Sequence, residues 1–335
     1  MFTLIGGSPS TGSSLLVNIL NRHRDLFAGP ETYLFIHQKL YENWNRYKSR
    51  LLNKSKILGL KSPGWFLKNG ADLLQADYGW SKPELAEIIL ESLDFKDFIN
   101  RFYKKPIQRN GASHWVEKTP SNAYLFETFL EKFPQGKVIH THRNPYDTVA
   151  SLVARGYDAY YAAGAFVCNT AFAMRTTKRG NHFQLSYEDL ALQPEASLRP
   201  LFDFLELPFS AKILETKSRS EDAPVKMKGW RQDESGDIQQ SSIGRFDELP
   251  REKREEMKIA LTAFQISEKF TKKFQLPFKN CRQLCEALDY EFLESDGVNG
   301  SFFRQLQAYR RQDIMRRTLR LYPTHLFNYP GSLRL

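Results

Sequence analysis

The sequence has little cysteine and no long apolar run. Its 335 residues include three cysteines, Cys168, Cys281 and Cys285. Such an odd and sparse set does not form a disulfide framework, and Cys281 and Cys285 lie one helical turn apart without a second ligand pair nearby. We therefore expect no disulfide-stabilised fold, no zinc or other metal site, and a reducing compartment.

Membrane signals are missing as well. The chain opens on Phe2, Thr3, Leu4 and Ile5, with no basic stretch that leads into an apolar segment of signal length. The sequence contains no run of about 18 apolar residues, which is the length that a helix needs to cross a bilayer. We expect a cytoplasmic protein with no transmembrane segment.

Basic residues outnumber acidic ones, and the formal net charge is +10. An excess of this size suits nucleic acid, an anionic membrane surface or small anions as partners. The sequence carries no RNA- or DNA-binding motif, so no nucleic-acid partner is predicted. The basic residues are dispersed except for one run near the end, of a kind that is usually a solvated helix face: Arg310, Arg311, Arg316, Arg317 and Arg320.

Short apolar runs that end in turns alternate with stretches of helical spacing. The runs predict strands at 2–5, 57–60, 114–117, 137–142 and 182–186. Helical spacing occurs at 13–23, 31–52, 122–133, 162–178 and 195–205, and from Pro250 almost to the end. Strands that alternate with helices predict an α/β fold, a P-loop-like parallel sheet flanked by helices.

The α/β domain is expected to span 1–270, with a helical insertion at about 31–113. Within the insertion, Pro83 begins one helix and Asp94 caps another. The polar, glycine-containing stretch 218–242 is predicted as a long loop over the active site. Residues 271–335 are expected to form a helical C-terminal extension that packs on this domain.

A run of small residues follows the first strand and leads into a helix: Gly7-Ser8-Pro9-Ser10-Thr11-Gly12-Ser13-Ser14. Small residues let backbone N–H groups converge on an anion, and the helix adds the positive end of its dipole. The run has the spacing of the nucleoside-triphosphatase loop G-x-x-x-x-G-K-[ST], but Ser13 stands at the lysine position. We therefore predict a single phosphate bound without a metal ion, rather than hydrolysis of ATP.

A second anion-binding pattern follows the strand at 137–142. Arg143 leaves this strand at its carboxyl end, which is the edge where ligands bind in open α/β sheets. Asn144 and Pro145 then begin a helix, and Ser151 lies two turns further along on about the same face. Because a guanidinium and a hydroxyl together suit a phosphate, the sequence predicts a second anion pocket.

The two patterns, in this order, resemble those of the sulfotransferases that use 3′-phosphoadenosine-5′-phosphosulfate (PAPS). The 5′-phosphosulfate loop of the family resembles residues 9–15, and its 3′-phosphate motif resembles residues 143–151. A segment of bacterial members, a later strand end and a late cofactor-covering segment resemble residues 117–122, 187–190 and 241–246. The resemblance extends over about 1–270 and includes features of tyrosylprotein sulfotransferases.

The resemblance implies a metal-independent sulfotransferase that moves the sulfuryl group of PAPS to an acceptor hydroxyl and leaves adenosine 3′,5′-bisphosphate. It implies a 5′-phosphate site formed by the loop residues Ser10, Thr11, Gly12, Ser13 and Ser14. It assigns Arg143 and Ser151 to the 3′-phosphate. Arg245 is implied to reach the same phosphate, and Tyr187 to flank the nucleotide.

The resemblance to the tyrosylprotein branch implies that Glu31, which follows Gly29-Pro30 after the first helix, is the general base. A carboxylate at the start of a helix is also favoured by the helix dipole alone, so a purely structural Glu31 is the alternative. Lys118 matches a family lysine that stabilises the bridging or sulfuryl oxygens, where negative charge develops. Cytosolic small-molecule members carry a histidine base two residues later, where this chain has Pro120.

Ser10 departs from the family pattern, in which a lysine or arginine touches the transferred group. Lys61 or a basic residue from 218–245 is expected to supply the missing charge. The strand histidines are expected to be packed core residues and rank below Glu31 as bases: His114, His140 and His142. The aromatic residues near 33–47 and 157–161 are interpreted mainly as packing at helical spacing, with an acceptor cleft as the alternative.

Two other functions stay open at this point. Because Ser10 replaces a basic residue, the chain could be a non-catalytic protein that binds adenosine 3′,5′-bisphosphate on the same scaffold. A P-loop small-molecule kinase is the second alternative, and the absent loop lysine argues against it. The acceptor is of unknown class, since sugar, lipid, polyketide and phenol hydroxyls all fit, and the oligomeric state is unknown.

Overall fold

The structure is a computed structural model that describes residues 2–52, 55–57, 60–62, 77–215, 238 and 240–295. The strands within these residues are β1 (Phe2–Gly7), β2 (Leu26–Ala28), β3 (Ser55–Ile57), β4 (Leu60–Ser62), β5 (His114–Lys118), β6 (Lys137–His142) and β7 (His182–Ser186). The first helices are α1 (Ser13–Leu20), α2 (Gln38–Glu42), α3 (Trp44–Tyr47), α4 (Ser49–Leu52), α5 (Lys82–Glu91), α6 (Phe95–Asn110), α7 (Phe126–Lys132) and α8 (Pro145–Ala154). The remaining helices are α9 (Ala159–Ala173), α10 (Tyr187–Leu192), α11 (Pro194–Phe204), α12 (Lys212–Glu215), α13 (Arg251–Ala263), α14 (Glu268–Phe274) and α15 (Cys281–Leu288).

Five parallel strands form the central sheet in the order β2-β5-β1-β6-β7. β1 lies in the middle, with Ile5 opposite Lys118 of β5 and Gly7 opposite Thr141 of β6. The residues of β6 are all buried, as expected of a parallel strand that is covered on both faces. The predicted α/β fold, a parallel sheet flanked by helices, is confirmed. The three-residue strand β2 was missed because so short a run carries no periodicity.

Helices cover both faces of the sheet, and the starts of several follow from local capping. Asn144 caps α8 by accepting from the amides of Tyr146 and Asp147, and Pro145 occupies the first turn. α9 is buried along nearly its whole length, because it lies between the sheet and the C-terminal helices. The predicted helix at 122–133 begins instead with a 3₁₀ helix, Pro120–Leu125, and continues as α7.

The predicted helix at 31–52 is wrong. Residues 30–34 are not helical, and three short helices, α2 to α4, follow them. The amide of Thr32 donates to the Glu117 carboxylate, Tyr33 has a left-handed φ of 57°, and Asn43 interrupts the spacing by capping α3. Long-range and capping contacts therefore override the aromatic periodicity that predicted one helix.

The rest of the insertion matches the predictions in part. The strand predicted at 57–60 is an antiparallel pair, β3 and β4. Pro83 lies in the first turn of α5 and Asp94 caps α6, as predicted. The aromatic core of this region packs against the β5 side of the sheet, where Tyr103 stacks on Trp115 with ring centroids 4.0 Å apart.

The C-terminal helices α13 to α15 pack on α9 and share one hydrophobic core with it, in which Leu261 and Leu284 are fully buried beside Phe166. Residues 296–335, with the basic run, lie outside the described residues, and so does nearly all of the predicted loop 218–242. Within the described part of the chain, no helix combines the length and apolarity needed to cross a membrane.

Candidate active site

The small-residue loop connects β1 to α1 at the carboxyl edge of the sheet. Ser10 and Gly12 both have left-handed backbones, with φ of 72° and 79°, so the chain turns sharply before the helix begins. Gly12 is the N-cap of α1, and within the described residues this N-terminus has no side-chain cap. Helix N-termini without a side-chain cap leave N–H groups that suit an anion.

The loop is held from within and from the side. Thr11 donates its hydroxyl to the carbonyl of Ser8 at 2.8 Å and lies 2.9 Å from the hydroxyl of Thr141. The Tyr187 ring packs so closely on Gly12 that an added Cβ would lie 2.4 Å from ring atom Cδ2. The Thr11 hydroxyl is thus used for the loop's own structure, and Gly12 is required by both its conformation and this contact.

Arg143 joins the end of β6 to this loop. The residue is 3% exposed, and its guanidinium donates to the carbonyl of Ser10 at 3.3 Å and to the carbonyl of Ser242. The guanidinium carbon lies 4.9 Å from the centre of the Tyr187 ring, a cation–π contact. Its Nε is buried and has no hydrogen-bond partner among the described residues. The structure therefore brings Arg143, Tyr187 and the loop together.

Arg245, in the segment before α13, lies in direct contact with Ser151 of α8. Nη1 of Arg245 donates to the hydroxyl of Ser151 at 3.0 Å, and both residues are buried. Asp147 holds the chain segment of Arg245 against α8, because its carboxylate accepts from the amides of Gly244 at 2.9 Å and Phe246 at 2.8 Å. Asp147 also lies 3.4 Å from Arg143. The Asp147 carboxylate therefore holds both Arg143 and the segment of Arg245 beside α8.

Glu31 and Lys118 meet on the other side of the loop. Nζ of Lys118 lies 2.5 Å from Oε1 of Glu31 and donates to the hydroxyl of Ser14 at 3.2 Å. Lys118 is the last residue of β5, whose neighbour in the sheet is β1. Lys118 thus connects the predicted base to the first turn of α1, which begins at Ser13.

Sequence reasoning missed Arg155, which follows α8. Its Nη1 donates to the hydroxyl of Ser10 at 3.2 Å, and its guanidinium lies 5.8 Å from the Tyr157 ring. A cation thus stands beside the loop residue at which the family pattern has one. The side chain of Lys61 and most of 218–245, which were the predicted sources of that charge, lie outside the described residues.

The sulfotransferase family model matches residues 3–211 of this chain, which includes the loop, Glu31, Lys118 and the Arg143 motif. The chain belongs to the sulfotransferase family. Protein-tyrosine sulfotransferase A of Caenorhabditis elegans is 24% identical over 226 residues, which are 64% of this chain and 52% of that protein. The protein-tyrosine sulfotransferase of Drosophila melanogaster is 24% identical over 223 residues, which are 63% of this chain and 39% of that protein.

A solved structure of the family has the same architecture. The sulfotransferase domain of the olefin synthase from Synechococcus PCC 7002 superposes with a TM-score of 0.54 at 20% identity, covering 87% of this chain and 95% of that domain. The likeness establishes the shared fold. This chain spans about half or less of the length of the two protein-tyrosine sulfotransferases.

The three histidines weighed as bases lie in strands β5 and β6 of this sulfotransferase-family chain. His140 is fully buried in the core, where burial holds its pKa well below the usual value. His142 contacts the hydroxyl of Tyr290 at 3.0 Å, and burial lowers its pKa to about 4. His114 lies at the start of β5, which is the opposite edge of the sheet from Lys118. The burial of His140 and His142 agrees with the prediction that they are packed core residues, and the choice of Glu31 as the base stays a prediction.

Most of the aromatic residues that could have lined an acceptor cleft are core residues. Phe35, Tyr41 and Trp44 are buried in one hydrophobic cluster. Two tyrosines differ from them: the Tyr33 hydroxyl hydrogen-bonds to Glu31, and the Tyr157 ring stacks on that of Tyr161 at 5.3 Å. The region of Glu31 thus contains aromatic side chains, but packing accounts for the majority of the set.

We expect Gly12→Ala to destabilise the fold by more than the cost of a left-handed alanine, which is about 1–2 kcal/mol, because the new Cβ also meets Tyr187. Gly156→Ala is the control for conformation alone, since its φ is 93° and no atom lies near its added Cβ. Gly180→Ala, which has neither feature, should be close to neutral. Urea unfolding of the three variants measures the differences. Equal losses for Gly12→Ala and Gly156→Ala would contradict the Tyr187 contact.

Proposed function

We propose that this chain transfers the sulfuryl group of PAPS to an acceptor hydroxyl without a metal ion. The observation that carries the proposal is the buried Arg143 guanidinium, whose Nη1 donates to the loop carbonyl of Ser10 and whose Nε has no hydrogen-bond partner among the described residues. A buried cation with free donor capacity suits an anion. Because Arg143 contacts the loop that leads into α1, we infer two anion pockets side by side.

The first pocket suits the 3′-phosphate and the second the 5′-phosphate of one nucleotide. Arg143, Arg245 and Ser151 would hold the 3′-phosphate, which distinguishes PAPS and adenosine 3′,5′-bisphosphate from ATP and ADP. The first amides of α1 and the hydroxyls of Ser13 and Ser14 would hold the 5′-phosphate. The Tyr187 ring, between Gly12 and Arg143, would flank the nucleotide.

The proposed chemistry divides between Glu31 and Lys118. PAPS supplies the sulfuryl group together with a phosphate leaving group. Glu31 takes the proton of the acceptor hydroxyl as the acceptor oxygen bonds to sulfur, and the bond between sulfur and the bridging oxygen breaks. Lys118 neutralises the negative charge that develops on the bridging and sulfuryl oxygens. Since Lys118 contacts both Glu31 and Ser14, it lies between the proton acceptor and the phosphate loop.

Two rival functions predict different ligands or no turnover. A kinase would need a loop cation for the β- and γ-phosphates and a carboxylate for magnesium. This chain has Ser13 in place of the loop lysine, and the strands beside β1 end in Lys118 and His142 rather than in aspartate. A protein that only binds adenosine 3′,5′-bisphosphate would bind this nucleotide and would not transfer sulfate.

The acceptor remains to be identified by experiment. Two relatives are named protein-tyrosine sulfotransferases, which makes a peptidyl tyrosine hydroxyl a first acceptor to test. A simple phenol and a primary alcohol extend the panel to other hydroxyl classes. Activity is measured as the transfer of ³⁵S from labelled PAPS to any of these three acceptors.

Adenosine 3′,5′-bisphosphate should raise the melting temperature of the protein more than ADP with magnesium does, because only the former carries a 3′-phosphate for Arg143. Arg143→Ala should weaken bisphosphate binding about tenfold to a hundredfold, the value of a charge-assisted hydrogen bond. Arg199→Ala, which removes an exposed ion pair with Glu195, is the control and should bind normally. Stabilisation by ADP with magnesium alone would eliminate the sulfotransferase proposal.

Glu31→Gln should lower kcat about a hundredfold or more, the usual contribution of a general base, while bisphosphate affinity changes little. Glu127→Gln is a matched control, because the Glu127 side chain is also ion-paired and is 27% exposed, against 26% for Glu31. Radiolabel transfer gives kcat, and calorimetry gives the affinity. A Glu31→Gln enzyme with normal turnover would show that another group accepts the proton.

Arg155 is proposed to supply the cation that the family pattern has at Ser10. Arg155→Ala should reduce turnover about tenfold or more, as expected for loss of a cation near the developing charge. Ser10→Lys in the Arg155→Ala background should restore part of that loss, because it places a cation at the family position. Steady-state transfer assays compare the single and double variants. If Arg155→Ala turns over like the unmodified protein, the missing charge comes from another residue.

A further inference from the structure

Glu117 is a fully buried carboxylate next to Lys118 on β5. Its side chain is 0% exposed and accepts four hydrogen bonds. Oε1 accepts from the amide and the hydroxyl of Thr32, both at 2.9 Å, and from the hydroxyl of Thr119 at 2.7 Å. Oε2 accepts from the side-chain amide of Asn122 at 2.5 Å. In the described structure, the Glu117 carboxylate is therefore satisfied by neutral hydrogen-bond donors, and no cation forms an ion pair with it.

Burying the Glu117 carboxylate costs folding free energy, because a charge is removed from water. Burial raises the pKa of Glu117, and the hydrogen bonds from Asn122, Thr119 and Thr32 oppose that shift. A buried charge that is satisfied only by neutral donors stabilises a fold less than an apolar side chain of similar size would. The presence of Glu117 therefore calls for a role beyond packing.

The four donors show which chain segment the Glu117 carboxylate holds in place. Two of them belong to Thr32, which is 85 residues away in sequence and directly follows Glu31. The Thr32 hydroxyl also accepts from the amide of Leu34 at 3.3 Å. Tyr33 is held at a φ of 57°, a conformation that a bulky residue adopts only when its surroundings impose it. Its hydroxyl hydrogen-bonds to Glu31.

We propose that Glu117 and Thr32 form a positioning pair that aims the carboxylate of Glu31 at Lys118, an inference that rests on the proposed sulfotransferase function. Glu117 and Lys118 are consecutive residues of one strand, and their side chains point to opposite sides of it. Glu117 binds the backbone beside Glu31, while Lys118 meets the Glu31 side chain at 2.5 Å. A single strand thus sets the distance between the proton acceptor and the cation.

The test compares three variants with the unmodified protein. Thr32→Val has nearly the same shape but loses the hydroxyl donor, and Thr32→Ser keeps it. Glu117→Gln keeps the volume and replaces one acceptor oxygen with a donor that faces other donors. Thr176→Val is the control, because Thr176 is also fully buried and its hydroxyl bonds at the amino-terminal edge of the sheet, beside His182.

We expect Thr32→Val and Glu117→Gln to lower kcat about tenfold to a hundredfold, as a displacement of about 1 Å does. The affinity for adenosine 3′,5′-bisphosphate should not change, since neither residue touches the nucleotide pockets. Thr32→Ser and Thr176→Val should keep kcat within about twofold. Normal kcat in both Thr32→Val and Glu117→Gln would overturn the proposal. An equal loss of kcat in Thr32→Ser would do so too, because it would show that the hydroxyl bond is not what matters.

A second measurement does not depend on activity. Limited acetylation with acetic anhydride, read by mass spectrometry, reports how well Lys118 is shielded by Glu31. Lys137 is the internal reference, because it is ion-paired with Glu206 and its side chain is 11% exposed, against 10% for Lys118. In Thr32→Val and Glu117→Gln, acetylation of Lys118 should rise several-fold relative to Lys137. Unchanged acetylation would overturn the positioning proposal. A rise in the variants, with no transfer even by the unmodified protein, would support the positioning pair and reject the proposed function.

Discussion

The buried guanidinium of Arg143 makes the contacts on which the proposed nucleotide side of the site depends. A charge removed from water must be compensated by nearby groups, and here these come from four parts of the chain. The carbonyl of Ser10 belongs to the loop, the carbonyl of Ser242 to the segment before α13, the carboxylate of Asp147 to α8, and the ring of Tyr187 to α10. Satisfying one cation therefore brings together segments that are distant in sequence.

The arginines proposed to bind phosphate and the carboxylate proposed as the base lie on different sides of the loop. Arg143 and Arg245 lie on the β6 side, where they are proposed to bind phosphate. The carboxylates Glu31 and Glu117 lie on the β5 side, where a proton is proposed to leave the acceptor. Lys118 lies between them, in contact with Glu31 and with the loop. This separation keeps the proposed proton acceptor away from the arginines, while one lysine is proposed to serve both the base and the developing charge.

Local sequence patterns predicted much of the fold. The strands β1, β5, β6 and β7 and the capped start of α8 depend on neighbouring residues, so apolar runs and capping residues were enough to find them. The helix predicted at 31–52 failed for the opposite reason. Its aromatic spacing is helical, but Thr32 bonds to Glu117 across 85 residues and Tyr33 adopts a left-handed backbone. Tertiary contacts decided that segment.

The sequence by itself determined the loop with Gly12 and the position of Arg143 at the end of a strand, because a tight turn and a strand end are properties of consecutive residues. Only the tertiary structure decided which distant groups complete the site. Arg155 reaches Ser10 across 145 residues, and Glu117 fixes the backbone beside Glu31. The physical reason is that a folded sheet brings its strand ends to one edge regardless of their separation in the chain, and no spacing in the sequence records which side chains then meet.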